Sequence, residues 1–394
     1  MVVEDKLETL VTSAQFDVCS YDITRPGSNS PLRFIHRAAL PNGGSIPLFK
    51  VLLTNVCIND CAYCVNQIGR DCPRHSFQPH ELAKLFMELY IRKLVRGLFL
   101  SSGIGLNASQ TMESMIKAVE ILRYRFEYKG YIHLKILPEA SFDSVAEGCK
   151  LASRVSINME APTPEHMAKL SSKKDLNHGI VERMRWVQQL LAKNERLVPS
   201  GQTTQFVVGA AGETDQDILY TTEALYHEID LRRVYFSAFR PVKGSRLEWL
   251  HPASPLRQHR LYQADWLIRT YGFSHQELGL ALDKGGNLRL NRDPKFVIAQ
   301  KQPWLFPVDV NRASYDELLR VPGIGPLSAK RIIDSRKEHS IFSLQQLKKM
   351  GVSTKRAIPY IWFKGILNWE KQSSFIPQLE DLDEHVPSLT GILG

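Results

Sequence analysis

Three of the chain's six cysteines, Cys57, Cys61 and Cys64, stand in the stretch V-C-I-N-D-C-A-Y-C-V-N, three and then two residues apart. Thiolates crowded into one loop can wrap a single metal group, and soft sulfur suits iron-sulfur chemistry. A four-iron cluster commonly takes four thiolates. This loop offers three, so one iron would be left open to another ligand. Zinc is a competing reading, because Cys72 and His75 lie close enough to supply a fourth ligand. Three unrelated buried thiols are another. Cys19 stands apart and reads as a small buried or incidental thiol, and the sequence around Cys149 selects no role for it.

A loop of this kind needs a scaffold, and the flanking pattern supplies one. L-F-K-V-L-L-T-N, from Leu48, predicts an apolar strand running directly into the cysteine loop. Further strands are expected at Gly97 to Ser101, Tyr131 to Leu137, Arg154 to Met159, Thr203 to Val208 and Arg233 to Phe239. Helical patterns lie between them at Pro79 to Val95, Met112 to Arg123, Phe142 to Lys150, His178 to Lys193 and Asp215 to Glu228. Proline at a first helical turn and aspartate as an acceptor for orphan amides mark two of these starts. Six strands with five intervening helices make a parallel β/α series.

Sites in such folds gather at the carboxyl ends of the strands. S-S-G-I-G follows the second strand, and its small residues Ser102 and Gly103 would let backbone approach a ligand. S-I-N-M-E-A-P-T closes the fourth, where a period of two would put Ser156, Asn158 and Glu160 on one face. A buried polar network would use the same residues. The fifth strand carries Gln205 and runs into V-V-G-A-A-G-E-T-D, and the sixth leads to Arg240 at the mouth.

The C-x3-C-x2-C spacing, with Tyr63 before the third cysteine, resembles the signature of the radical S-adenosylmethionine (SAM) enzymes. The resemblance implies a partial (β/α)6 TIM-like barrel whose three cysteines hold a [4Fe-4S] cluster, with SAM chelating the fourth iron. It also implies an electron donor of flavodoxin or ferredoxin type. Ser102 and Gly103 then match the glycine-rich segment that receives the amino group of SAM, and the loop after Val208 matches the one lying against adenine. Ser156, Asn158, Glu160, Gln205 and Arg240 become further cofactor contacts.

Beyond the strands, Leu256 to Phe273 predicts an aromatic helix. Its arginines, histidines and aromatics could line a nucleic-acid channel, or Leu261, Trp266 and Tyr271 could face a core. Lys284 onward loses periodicity and reads as a linker. From Val308 to Arg336 the chain resembles a helix-hairpin-helix module, with Leu318 and Leu319 on one helix and Ala329, Ile332 and Ile333 on the next. Gly323 and Gly325 in the hairpin would bare backbone amides for a phosphate, helped by Lys330 and Arg331. Such contacts position a duplex without reading bases. A degenerate second hairpin is expected at Leu347 to Ala357. Between Asp309 and Gly365 eleven Lys or Arg stand against five Asp or Glu, a balance of +6 out of +9 for the whole chain. A solvated basic face or a protein-docking module is the bland alternative.

The expected organisation is an extension over 1–47, a barrel over 48–283, a linker over 284–305, an all-α helix-hairpin-helix domain over 306–367 and an acidic tail over 368–394. The 394 residues carry 50 Lys+Arg and 41 Asp+Glu, with a pI near 9.2, a balance that suits a polyanion. The amino terminus has no signal-peptide pattern and no apolar run is long enough for a bilayer, so the expectation is a cytoplasmic protein without membrane partners.

The order of motifs resembles a bacterial family of radical SAM proteins assigned to DNA modification or repair and linked with a uracil-DNA glycosylase superfamily partner. The shared stretches include C-I-N-D-C-A-Y-C-V-N, H-R-L-Y-Q-A-D-W-L and F-P-V-D-V-N-R-A; Ala38 to Ile46 and Gln67 depart from it. The implied activity is radical modification of DNA. A radical enzyme acting on RNA is one alternative, and a DNA-binding protein with a structural or redox-sensing cluster, closed by Cys72, is the other.

Overall fold

A computed structural model of the protein describes residues 2–14, 35–39 and 45–363. Cys19, the Pro- and Ser-rich part of the expected extension and the expected acidic tail lie outside the described residues. The described chain divides into two units, one of residues 2–213 and 221–258, the other of residues 214–220 and 259–363.

The first unit is built on a seven-stranded half-barrel sheet with its strands in chain order. They are β1 (Ile35–Ala39), β2 (Ser45–Leu52), β3 (Gly97–Ser101), β4 (Tyr131–Lys135), β5 (Arg154–Ser156), β6 (Gln202–Val208) and β7 (Arg233–Ala238). The six strands from β2 onward pair in parallel, as the alternation of apolar runs and helices predicts. β1, which lies within the expected amino-terminal extension, adds an antiparallel edge. All five residues of β3 and all seven of β6 are buried. β3, G-L-F-L-S, is nearly all apolar, whereas β6 buries the polar run Gln202 to Gln205 along with Phe206, Val207 and Val208. Helix α1 (Val2–Ala14) buries Leu10 and Ala14, and its Lys6 ammonium meets the Glu81 carboxylate at 2.6 Å.

The crossover helices differ from expectation mainly at their ends. α2 (Pro79–Ile91) starts at the expected proline, with Gln78 and Glu81 forming a capping box. α3 (Ala108–Glu120) begins four residues early because Asn107 caps it, accepting from the Gln110 amide at 2.8 Å, and it ends in a π-helical turn over Ile121–Arg125. α4 (Phe142–Leu151) and α6 (Glu182–Lys193) follow, the latter entered through a π turn at Leu176–Val181. α5 (Pro164–Leu170), capped by Thr163, was not anticipated. β5 ends at Ser156, short of the expected Met159, although Glu160 still bridges Phe206 of β6 in parallel; Glu160 itself takes a left-handed φ of 63°.

α7 (Asp215–Ile229) has the expected extent with a different cap. The Thr214 hydroxyl accepts from the Asp217 amide at 3.1 Å, and the Asp217 carboxylate accepts from the Thr214 amide at 2.9 Å. Asp215 instead accepts from the Leu288 amide at 2.9 Å.

In the second unit, α8 (Pro255–Tyr271) buries Leu261 while Trp266 is 42% exposed, with Arg269 over its ring, so Trp266 does not serve the core. After the short α9 (His275–Gly279), residues 284–305 are not merely a linker. Asp293 and Pro294 cap and start α10 (Pro294–Lys301), whose Ala299 and Phe296 pack into the helix-hairpin-helix core. That core joins Leu318 and Leu319 of α11 (Tyr315–Arg320) to Ala329 and Ile332 of α12 (Pro326–Glu338). α13 (Leu344–Lys349) and α14 (Thr354–Ala357) form the second hairpin, turning at Gly351 with φ 87°.

Candidate cluster site and candidate nucleic-acid interface

β2 delivers the cysteine loop to the carboxyl edge of the parallel sheet, and three local devices hold the loop there. The Asn55 side chain accepts from the His75 amide at 2.7 Å and donates to the Pro73 carbonyl at 2.8 Å. The Arg74 guanidinium donates to four carbonyls, those of Asn55, Asn66, Gln67 and Arg70, at 2.6 to 3.2 Å. Gly103 lies so close that a Cβ on it would stand 2.5 Å from the Val56 carbonyl oxygen, and its amide donates to Thr54 at 2.7 Å. The close approach expected at Gly103 is therefore toward the cysteine loop's own backbone. A loop with so many carbonyls spoken for is pre-shaped rather than free to collapse.

The segment after α5 clasps the loop from the other side. The Asp60 carboxylate accepts from the hydroxyls of Ser171 at 2.5 Å and Ser172 at 2.7 Å, and from the Ser172 amide at 3.1 Å. Partial burial works against the Asp60 charge, yet these donors outweigh it and hold the carboxyl at about 2. Lys173 donates to the Ile58 carbonyl at 2.7 Å. Lys174 points inward, its ammonium 2.8 Å from the Tyr63 hydroxyl and 3.3 Å from Glu160 Oε1. Glu160 is buried and Lys174 partly so, and each compensates the charge of the other. None of Arg74, Asp60 or Lys174 carries a sequence signal of its own; Lys174 is separated from Tyr63 by 111 residues.

Cys61 is buried, while Cys57 and Cys64 are partly so. Burial, countered at Cys61 by the Lys174 charge, raises that thiol, and burial with the neighbouring Cys61 lifts Cys64 to about 12. Backbone amides aim at two of the sulfurs, from Ile104 to Cys57 Sγ at 3.5 Å and from Asn66 to Cys64 Sγ at 3.4 Å. Donors of that kind favour thiolate once a metal takes the proton's place. Among the described residues no three His, Cys, Asp or Glu side chains gather as ligands of a single ion. Cys72 is partly buried, its thiol donating to the carbonyl of Val65, next to Cys64, at 3.9 Å.

The other candidates are not equivalent. Ser102 Oγ and Glu160 Oε2 are buried without a partner, and two unmatched polar atoms near the cysteine loop are what a polar ligand there would satisfy. Asn158 and Gln205 are buried at the same sheet edge. Ser156 is engaged lower in the sheet, its hydroxyl 2.8 Å from His133 Nε2. The loop after β6 wraps Glu213, whose carboxylate accepts from the Gly209 and Ala211 amides and faces Arg257 at 3.6 Å. Arg240 is exposed on the rim.

In the second unit the first hairpin is braced on two sides. A Cβ on Gly323, at φ 89°, would stand 2.5 Å from the Ser353 carbonyl oxygen, and the Ser353 amide donates to Gly323 at 2.9 Å. Gly323 is thus required by the packing of one hairpin on the other. Lys295 of α10 buries its ammonium over the Tyr271 ring at 4.5 Å and donates to the Ile324 carbonyl at 2.6 Å. Arg320 spans both oxygens of Glu277. Lys330 and Arg331 are exposed on α12, where an incoming phosphate could meet them.

An α/β half-barrel with a pre-shaped three-cysteine loop at its carboxyl edge, on one chain with paired helical hairpins, defines the class. Residues 51–225 match the radical SAM superfamily and residues 307–354 the helix-hairpin-helix motif, so the chain carries a radical SAM enzyme domain that uses a [4Fe-4S] cluster and SAM. No curated protein matches the chain. Among solved structures it is similar to the FeFe-hydrogenase maturase HydG from Carboxydothermus hydrogenoformans at 14% identity, over 55% of this chain and 50% of that one, with a TM-score of 0.44. Methylornithine synthase (PylB) matches at 15% identity over 55% and 60% of the two chains, with a TM-score of 0.46. A second HydG structure matches at 10% identity over 84% and 82%, with a TM-score of 0.45. The match thus spans about half the length of the first of these structures. Among the described residues no helix is long and apolar enough to cross a membrane.

Proposed function

We propose that the chain is a radical SAM enzyme that acts on DNA, with Cys57, Cys61 and Cys64 holding the cluster. When bound, the cluster and SAM supply a 5'-deoxyadenosyl radical through one-electron cleavage of the sulfonium. The protein's own part is orientation and exclusion of water. Arg74 and Asn55 keep the cysteine loop open, and the Asp60 clasp ties it to the segment after α5. Glu160, with one oxygen on Lys174 and the other unpartnered, offers an acceptor to SAM hydroxyls or its amine, beside Asn158, Gln205, Ser102 and Gly103.

The observation that carries the DNA reading is the helix-hairpin-helix motif itself, with Lys330 and Arg331 exposed on the helix that follows its hairpin. Gly325, which precedes α12, and that helix's first amides would take a backbone phosphate. Binding of this kind tolerates sequence and weakens with salt. A low-potential electron donor and a cytoplasmic location belong to the same reading, as does the glycosylase superfamily partner implied by the family resemblance.

The test is anaerobic. The reconstituted chain is given reductant and SAM, and 5'-deoxyadenosine is measured with and without duplex DNA, beside Cys61→Ala. Product that needs Cys61 and rises with duplex supports the reading. Product that rises with folded RNA and not with DNA overturns the choice of substrate, and no product from a fully loaded, reducible cluster overturns the enzymatic role.

A further inference from the structure

The segment that follows β7 enters the cluster site as described only through Arg240 on its rim. Residues 240–251 expose Arg240, Lys243 and Arg246. Trp249 is 89% exposed and Leu250 40%; among the described residues no other large apolar side chain is as exposed as Trp249. The one carboxylate in the segment, Glu248, is turned onto the loop, accepting from the Gly244 amide at 2.8 Å.

Two contacts tie this segment to the cysteine loop. Arg70 donates to the Lys243 carbonyl at 2.9 Å, and Arg246 lies 3.7 Å from the Asp60 carboxylate while donating to the Leu170 carbonyl at 3.4 Å. The cysteine loop follows β2 and this segment follows β7, so both stand at the carboxyl edge of one parallel sheet. An exposed indole beside Arg240 and Lys243, with Arg246 shared with Asp60, is therefore placed at the rim of the site.

We propose that residues 240–251 form a platform for single-stranded nucleic acid, Trp249 stacking on a base while Arg240, Lys243 and Arg246 take neighbouring phosphates. The inference rests on the DNA reading above and names the form in which DNA reaches the site. Hairpins that grip backbone leave every base inside the duplex, whereas chemistry on a base needs it unstacked. An indole face is tolerant of base identity, and flanking cations track a flexible backbone; together they discriminate an unpaired strand from a stacked one. Charge complementarity selects this occupant. An acidic protein would meet the cations and leave the indole without a flat partner.

The experiment uses the full, cluster-loaded chain and labelled oligodeoxythymidine, with an intact duplex of equal length as the second probe, read by anisotropy across a salt series. Trp249→Ala should weaken single-strand binding roughly ten-fold and leave duplex binding in place, whereas Trp249→Phe, which keeps an aromatic face, should retain most of it. Lys243→Glu should flatten the salt dependence for the single strand by about one phosphate contact. Far-UV circular dichroism confirms that each variant is folded; the substituted side chains are exposed. Unchanged single-strand binding in Trp249→Ala and Lys243→Glu overturns the platform, and so does an equal loss for both probes. Lys330→Glu with Arg331→Glu separates the two readings. If it abolishes duplex binding while Trp249→Ala changes nothing, the platform fails and the DNA reading stands. If the wild-type chain binds neither probe, both fail.

Discussion

The Lys295 ammonium donates to the Ile324 carbonyl at 2.6 Å, so a residue of α10 holds the apex of a hairpin 29 positions further along the chain. Burial drives the Lys295 pKa well below its ordinary value, although Asp293 pulls the other way. The unfolded chain therefore holds a proton at this amine more tightly than the folded unit does. Stability from this group therefore rises as the pH is raised toward the ordinary lysine value, and falls as the pH is lowered from it. Lys295→Met should lose that pH dependence in denaturant titrations and weaken duplex binding, because the hairpin loses its brace. A duplex affinity equal to wild type would show that the brace does not matter for binding.

Arg74 should control cluster retention. Arg74→Lys keeps the charge but cannot reach four carbonyls at once, since an ammonium lacks the planar fork. Iron content after anaerobic reconstitution and desalting should fall, with cluster affinity weaker by roughly ten-fold or more. Near-wild-type circular dichroism with reduced iron supports this; full iron content would show that the loop holds its shape without Arg74.

Glu160 should act on SAM and not on the cluster. Glu160→Gln leaves an amide of similar shape while removing the charge that faces Lys174 at 3.3 Å. Iron content should persist, and equilibrium dialysis should show weaker SAM binding. Loss of iron in parallel with SAM would assign Glu160 to the architecture of the loop.

Gly323→Ala should unfold the second unit more readily than the first. The new Cβ meets the Ser353 carbonyl oxygen at 2.5 Å in a left-handed backbone conformation. Such strain costs about 1–3 kcal/mol. Proteolysis should show earlier cleavage within residues 306–363, and duplex binding should fall with it. Gly351→Ala, where the nearest atoms to a Cβ are the ends of the Ser328 and Arg331 side chains, should be milder.

Much of the fold was legible before any coordinates. Apolar runs of strand length, spaced by helical periods, announced the parallel series from β2 to β7, and the hairpin glycines announced α11 and α12. The edge strand β1 was not legible, because its five residues, I-H-R-A-A, are too few and too mixed to show a strand period. α10 was missed although Asp293-Pro294 is a start signal, since its buried positions serve a packing partner rather than a regular stripe. Trp266 was assigned to the core by its type, whereas Arg269 covers it at the surface.

The sequence by itself determined which residues could bind iron and phosphate, because thiol spacing, glycine placement and strand period act over a few neighbouring positions. Only the tertiary structure decided what surrounds them. Asp60 meets Ser171 across 111 positions, Lys174 meets Tyr63 across the same distance, and Arg70 meets Lys243 across 173. No local propensity encodes such pairs. They exist because a sheet with its strands in chain order brings the carboxyl ends of distant strands to one edge, where loops from far-apart stretches must satisfy one another's charges and hydrogen bonds.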